Sequence, residues 1–507
     1  MSAAHPPAAD DGEVLSSVRA LADQAFARAA GAPLVAGNSV RLLRDARENY
    51  PAWLEAIRLA ERTVHFENYY LRGDDVGGEF AAALVAKARA GVRVRLLYDW
   101  LGGFGKAPRA FWKRLRAGGV EVRCYNPPRL DSPLGWVSRD HRKVLAVDGR
   151  VAFVTGLCVG REWLGNPARG TPPWRDTGVE VRGPAVADVE RAFAQVWGMA
   201  GGQIPEGDLV SSEDLGPAGE TAVRVLATVP STAGLYRLAQ LVAAFARERL
   251  WLTDAYYTGT TPYVQALRAA ARGGVDVRLL VPGATDLPLL KPLSRAGYRP
   301  LLEAGARVFE WNGSMLHAKT AVADGRWSRV GSSNLNVASW LGNCELDVVV
   351  EDERFARAME EMYLDDLANA TEIGLGAKHT IHAPGEPRRP VTRGGGGSAG
   401  RAAAGALRIG NAVGAAVTDR RVLDPTEARL MAGAGVLLLA LAVLFAFFPR
   451  FLAYPLVAVA VWFAFALLVR GYKLSRNEQR ERSPPPGNGR PPGGAAEDTP
   501  LAEVRRD

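Results

Sequence analysis

The chain is 507 residues long, with 48% apolar and 23% charged side chains. That is too long for one compact core and too apolar for a chain disordered throughout. The formal net charge of +8 favours an anionic partner, whether nucleic acid, phospholipid or a phosphate group, and the three cysteines (Cys124, Cys158 and Cys344) lack the spacing of a disulfide scaffold or a structural zinc site.

Taken in chain order, the first thirteen residues (MSAAHPPAADDGE) lack the basic and apolar regions of a signal peptide, which predicts a cytoplasmic first domain. Residues 13–31 read as an amphipathic packing helix, within an N-terminal segment of residues 1–37. From 38 to about 370, helix-period stretches alternate with Val/Leu-rich runs: VRVRLLYDW (92–100), VEVRCYN (120–126), KVLAVD (143–148) and VDVRLLVPG (275–283). This alternation predicts α/β units around a sheet. The region is also duplicated. LAERTVHFENYY (59–70) matches ARERLWLTDAYY (246–257), GVRVRLLYDW (91–100) matches GVDVRLLVPG (274–283), and LRAGGVEVRCYN (115–126) matches LLEAGARVFEWN (301–312). Two similar lobes, 38–200 and 201–370, are expected, related by a pseudo-twofold. The first copy alone carries an insertion, PPRLDSPLGW (127–136).

Past 370 the composition shifts. Residues 371–429 read as a flexible linker and juxtamembrane segment, Pro-, Gly- and Arg-rich over 383–404. Two uncharged apolar runs, 430–448 and 451–469, are separated only by Pro449 and Arg450, which predicts an antiparallel membrane hairpin over 430–469. Arg420, Arg421 and Arg429 precede it, and Arg470, Lys473, Arg476, Arg480 and Arg482 follow it, so the positive-inside rule puts both ends in the cytoplasm. Residues 470–507 form a basic, Pro/Gly-rich tail expected to be disordered.

Two of the six histidines open the same pattern, H-x-K-x-x-x-x-D: His141, Lys143 and Asp148, then His317, Lys319 and Asp324. With only eight lysines in the chain, two such coincidences by chance are on the order of 10⁻⁵. On a strand, residues i and i+2 share a face, so each motif aims an imidazole and an ammonium at one volume. Two copies face to face would present two imidazoles and two ammonium groups to a single phosphoryl group. One imidazole attacks phosphorus, the other moves the proton of the alcohol, and the lysines stabilise the anionic oxygens. Metal and cofactor are not required. These six residues form the candidate catalytic set, the two aspartates being read as structural or charge-balancing within it. Asp176 and Glu345, each just before a Val-rich strand, are the candidate histidine-orienting carboxylates, and Ser332 and Asn334 in GSSN (331–334) the candidate phosphate ligands.

The paired motifs and GSSN resemble the phospholipase D superfamily. The wider text, including FENYYL (66–71), DHRKVLAVDGRVAFVTGL (140–157) and LHAKTAVADG (316–325), is similar to bacterial cardiolipin synthases. The resemblance implies that superfamily's two-lobed fold and phosphatidyl transfer from phosphatidylglycerol to a second phospholipid, with His141 as nucleophile and His317 as acid and base. It also implies anionic phospholipid and membrane partners and a place at the bacterial inner membrane. A hydrolase releasing phosphatidic acid is the alternative, and a nuclease of the same superfamily a more distant one, since much of the Arg excess lies in the linker and around the hairpin. One departure stands out: the first copy has Thr155-Gly156-Leu157-Cys158 where the second has GSSN, so Cys158 occupies the position of Asn334.

Overall fold

The structure is a computed structural model, and it describes residues 23–129, 137–286, 290–375, 381–382 and separate positions between 439 and 468. Each repeat builds seven strands. The first contributes β1 (Val35–Arg44), β2 (Thr63–Asn68), β3 (Arg93–Asp99), β4 (Glu121–Tyr125), β5 (Lys143–Val147), β6 (Val151–Thr155) and β7 (Thr177–Arg182). The second contributes β8 (Thr221–Thr228), β9 (Arg249–Thr253), β10 (Asp276–Pro282), β11 (Arg307–Trp311), β12 (Thr320–Ala323), β13 (Trp327–Gly331) and β14 (Glu345–Glu351). The spatial order is β1-β7-β6-β5-β2-β3-β4 in one half and β8-β14-β13-β12-β9-β10-β11 in the other.

The two halves are not separate sheets. β1 pairs antiparallel with β8, Val35 opposite Val223 and Asn38 opposite Thr221, so one sixteen-stranded sheet runs through both repeats and its order reverses at that seam. An antiparallel pair of equivalent strands carries a local twofold axis, and this pair supplies the pseudo-twofold expected from the repeats. The last two strands, β15 (Ala370–Leu375) and β16 (Ile381–His382), continue beyond β11. The second lobe therefore extends past the expected boundary at 370, because β15 covers the ladder that β11 would leave open.

Alternation along the strands shows how the sheet folds over itself. In β5 and β6, Leu145, Val147, Val151 and Phe153 join a core with helices α1 (Asp45–Leu59), α2 (Asp75–Arg89) and α3 (Arg109–Ala117). Their neighbours Val144, Ala146, Ala152 and Val154 point the other way, onto Val330, Leu346, Val348 and Val350 of the second repeat. Helix α4 (Val186–Met199), which follows β7, turns inward and adds Val186 and Val189 to this shared core. Helices α5 (Gly234–Phe245), α6 (Thr261–Arg272) and α7 (Leu290–Leu302) cover the outer face of the second half. Helix α8 (Glu353–Ala368), after β14, turns inward as α4 does, with Phe355 and Met359. The layers are thus helix, sheet, sheet, helix. Strands buried on both faces explain the near-continuous Val/Leu runs of the sequence.

Residues 23–30 of the expected N-terminal helix are helical. Most of the insertion at 127–136, nearly all of the linker and the basic tail lie outside the described residues. At the described positions between 439 and 468 the chain is helical except at Phe448, and Leu439, Val443, Phe447, Tyr454, Val457 and Trp462 are exposed. Among the described residues no helix is long and apolar enough to cross a membrane. Much of the expected hairpin falls on residues outside that set.

Asp148 and Asp324, placed in the candidate catalytic set, serve as anchors. Each sits in the turn after its strand with positive φ, 56° and 49°, a conformation aspartate tolerates better than most residues. The Asp148 carboxylate accepts the amides of Glu61, Arg62 and Thr63 at 2.7–2.8 Å, clamping the entry to β2. The Asp324 carboxylate accepts those of Arg247, Glu248 and Arg249 at 2.9 Å, clamping the entry to β9. Their oxygens are spent on the backbone, the arrangement expected of structural aspartates. Asp148→Ala is expected to lose about 3 kcal/mol of stability, and Asp148→Asn, which keeps one acceptor oxygen and tolerates the backbone, distinctly less. Denaturant midpoints of the two variants check this.

Candidate active site

The pseudo-twofold brings the run-in to β5 beside Cys344, just ahead of β14, and the run-in to β12 beside Arg175, two residues ahead of β7. The His141 amide donates to the carbonyl of Cys344 (2.9 Å), and the His317 amide donates to the carbonyl of Arg175 (2.7 Å). Each histidine is therefore seated by backbone of the opposite repeat. The next residue of that backbone carries the orienting carboxylate. His141 Nδ1 lies 2.9 Å from Glu345 Oε2, and His317 Nδ1 lies 2.8 Å from Asp176 Oδ2. Both sequence-predicted carboxylates thus meet a histidine, and each serves the motif of the other repeat.

Holding Nδ1–H on a carboxylate leaves Nε2 with its lone pair. Burial holds both imidazoles below their ordinary range, His317 at about 3, with the adjacent lysines acting in the same direction. Both resting imidazoles are neutral. For Asp176 and Glu345, burial works to raise the carboxyl but is outweighed by the facing histidine and the nearby lysine, so both stay ionised. Lys143 Nζ donates to the carbonyl of His141, and Lys319 Nζ to that of His317. Lys319 Nζ also lies 3.0 Å from His317 Nδ1, whereas Glu345 has the matching nitrogen of His141 without a lysine beside it. Each histidine feels the lysine of the other repeat, which places four cationic or basic groups around one volume.

The half-sites differ in what supports the carboxylate. Glu345 accepts the Ser332 hydroxyl (2.6 Å) and the Asn343 amide (3.1 Å). The Ser332 oxygen in turn accepts the Leu346 amide, so this residue, expected to bind phosphate, is turned toward the buried carboxylate. An ionised carboxylate out of water needs donors, and that demand wins. Asp176 accepts the Trp163 indole N–H (3.0 Å) and the Thr177 amide (2.8 Å). Gly156 stands where the second copy has Ser332, and a Cβ there would lie 2.2 Å from Asp176 Oδ1. Asn334 is buried with its Oδ1 unpartnered. Its counterpart Cys158 is fully buried; burial pushes the thiol up to about 11 while Lys143 and Lys319 pull against that.

Aromatic rings wall the site. Tyr69 meets His141 edge-on at 5.0 Å, and its repeat mate Tyr256 meets His317 at 5.8 Å. Trp163 and Trp174 add two more contacts to His317, at 5.6 and 5.8 Å. Behind His141, Glu67 and Asp140 are both wholly buried and adjacent. Burial pushes Glu67 up to about 7 and Asp140 well up, with the Arg142 guanidinium pulling against both. Glu67 therefore lies in the wall behind the site. The residue inside the first motif, Arg142, is a strut: its guanidinium donates to the carbonyls of Glu345, Ala192 and Thr228, tying β5 to β14, α4 and β8. Sequence reasoning passed over Arg142, Tyr69 and Tyr256. The tyrosines were marked by their matching positions in the repeat, whereas Arg142 has no counterpart to flag it. Among the described residues, no group of three or more His, Cys, Asp or Glu side chains converges as a metal site.

A duplicated fold that brings two carboxylate-held histidines and two lysines toward one volume has the make-up of a phosphoryl-transfer site. The family model described as "Cardiolipin synthase, PLD-like domain" matches residues 53–162 and 242–367. The chain is 32% identical over 347 residues to a cardiolipin synthase of Alkalihalophilus pseudofirmus, covering 68% of this chain and 69% of that one. It is 34% identical over 351 residues to cardiolipin synthase A of Pseudomonas fluorescens, covering 67% and 71%. A crystal structure of phosphatidylserine synthase from Haemophilus influenzae shares the fold, with a TM-score of 0.54 at 13% identity over 69% of this chain and 92% of that one. The chain belongs to the cardiolipin synthase family of the phospholipase D superfamily.

Burial lowers Lys319 to about 8, so its ammonium is present below that pH and lost above it. We expect kcat/KM to fall above about pH 8, and Lys319→Arg to move that alkaline limb upward; pH–rate profiles of the two proteins check it. Gly156→Ser, which copies the second repeat, is expected to push Asp176 off His317 and lower kcat at least tenfold, read in the same assay.

Proposed function

We propose that this chain is a membrane-held phosphatidyltransferase that makes cardiolipin, taking the phosphatidyl group from phosphatidylglycerol and passing it to the hydroxyl of a second phospholipid. The observation that carries the reading is the pair of neutral histidines, each held through Nδ1 by a carboxylate of the opposite repeat. His141 Nε2 attacks the phosphorus of phosphatidylglycerol, forming a P–N bond as the P–O bond to glycerol breaks. His317, protonated once the anionic phosphodiester is bound, gives its proton to the departing glycerol oxygen. It then takes the proton of the incoming hydroxyl, whose oxygen displaces His141 and restores the free imidazole. Lys143 and Lys319 stabilise the non-bridging oxygens at each crossing. Assigning attack to His141 is supported by its slightly greater exposure, 12% against 7% for the side chains, and by the absence of a lysine at its Nδ1. Asn334, buried in the GSSN turn after β13, is assigned to the substrate side of the second half-site, where its amide N–H would donate to a phosphate oxygen.

The apolar runs at 430–448 and 451–469 hold the enzyme to the inner membrane as a hairpin, with the catalytic lobes on the cytoplasmic side. Exposed Leu439, Phe447, Tyr454 and Val457, and the arginines flanking both ends, support this placement. The test is mass spectrometry of lipids formed when detergent-purified protein meets phosphatidylglycerol vesicles, with and without phosphatidylethanolamine. Cardiolipin with released glycerol is expected, and turnover is expected to drop at least 10³-fold in His141→Ala and in His317→Ala. Phosphatidic acid alone would make it a hydrolase, and substantial activity in either variant would refute the two-histidine mechanism.

A further inference from the structure

We propose that helix α3, together with the Phe104 loop that leads into it, is a docking face for an anionic phospholipid bilayer. The inference rests on the phosphatidylglycerol reading above, which supplies the negative surface. The helix reads RAFWKRLRA: four cations and no acid in nine residues. Phe111, Trp112 and Leu115 are buried, which leaves Arg109, Lys113, Arg114 and Arg116 outward. Among the described residues, none of these four pairs with a carboxylate.

The duplication provides an internal control. The equivalent helix of the second repeat, α7, also joins two parallel strands, and its half-buried arginines are neutralised. Arg295 pairs with Glu310 at 2.6 Å and Arg299 with Glu303 at 2.7 Å. An unneutralised basic helix is thus a property of the first copy and not of the fold. A charge cluster maintained without partners destabilises its own helix by self-repulsion, and a negative surface relieves that.

The shape suits a headgroup layer. Arg109, Lys113 and Arg116 follow one helix face and line a shallow cleft of about 580 Å³, with Trp112 stacked on Tyr98 at 3.9 Å between ring centroids. Just before the helix, Phe104 is 56% exposed in a loop free of acids. This loop is fastened to the catalytic centre. Asp99, at the end of β3, accepts the Gly102 amide, the Asp140 amide and the Arg139 guanidinium. Gly102 packs directly on the ring of Tyr69, which touches His141. An apolar anchor and a basic face, held rigidly to the nucleophile, would set the height of the site above the bilayer.

The experiment uses the full chain as His141→Ala, so that lipid is bound but not consumed, in nanodiscs of phosphatidylglycerol with phosphatidylcholine or of phosphatidylcholine alone. Hydrogen–deuterium exchange over 100–117 is expected to slow at least fivefold in the anionic discs, and 0.5 M salt is expected to abolish the difference. The same discs with Arg109→Glu/Lys113→Glu/Arg116→Glu are expected to give no slowing, while Arg272→Glu, an exposed charge on α6, retains it. Should the triple variant unfold early, Phe104→Asp takes its place, with a partial loss expected. In the wild-type histidine background, the triple variant is expected to need about tenfold more surface phosphatidylglycerol for half-maximal rate, with kcat within twofold. Equal exchange in both discs, or slowing with DNA and not with anionic discs, would overturn the proposal. Because exchange is read without turnover, a failure of the synthase reading leaves this result separately legible.

Discussion

A histidine buried to the point of losing its charge can act as a nucleophile only if something fixes its tautomer, and in this chain the fixing group always comes from the other half. Glu345 holds His141 and Asp176 holds His317, while the backbone just ahead of each carboxylate seats the same histidine's amide. Everything that aligns the halves serves these two contacts. The β1–β8 seam supplies the axis, the valine-rich inter-sheet core sets the spacing, and Arg142 crosses from one half to carbonyls of the other. Arg175 also reaches from the first half into the second, its guanidinium paired with the Asp366 carboxylate of α8 at 2.9 Å. A shared core is the natural packing answer, since a carboxylate displaced by even an ångström would leave a buried charge unpaired.

Within this symmetric frame the half-sites are chemically unequal. The second histidine is walled by three aromatic rings and shares its Nδ1 surroundings with an ammonium; the first meets one ring and a single carboxylate. A hydroxyl and an amide support Glu345, whereas an indole supports Asp176 over a glycine that leaves the necessary room. Asn334 has Cys158 as its counterpart in the first repeat, an amide donor against a thiol with little to offer a phosphate. The two roles proposed for the histidines call for different environments, and these side chains differ without altering the backbone plan.

The strands and the two motifs were legible because they rest on short-range rules: alternation along a strand, and the i, i+2 spacing that put His141 with Lys143 and His317 with Lys319 on the same side. The carboxylates were legible as candidates, since Asp176 and Glu345 precede matching strands, but their exchange was not. Sequence order shows what each repeat contains, and pairing across 204 or 141 positions is decided by how the sheet closes. The same holds for the joining of the two expected lobes through one sheet, which depends on a long-range pair at Val35 and Val223. Ser332 was misdirected for another reason: a hydroxyl in a turn reads equally well as a phosphate ligand or as a donor to a buried acid, and burial decides. The basic residues of α3 were visible only as part of a total, because whether a charge is neutralised depends on neighbours that the linear text does not give.

The exchange of carboxylates also binds the two copies into one hereditary unit. A half separated from its partner would carry a histidine without an acceptor and an acid without an imidazole, so neither copy retains a working site to fall back on. Any change that loosens Glu345 is felt at His141 and any change at Asp176 is felt at His317, and selection acting on one repeat therefore acts on the other. Parts that the axis does not share, such as the loop after β4 and the charge on α3, are free of that constraint and differ between the two copies.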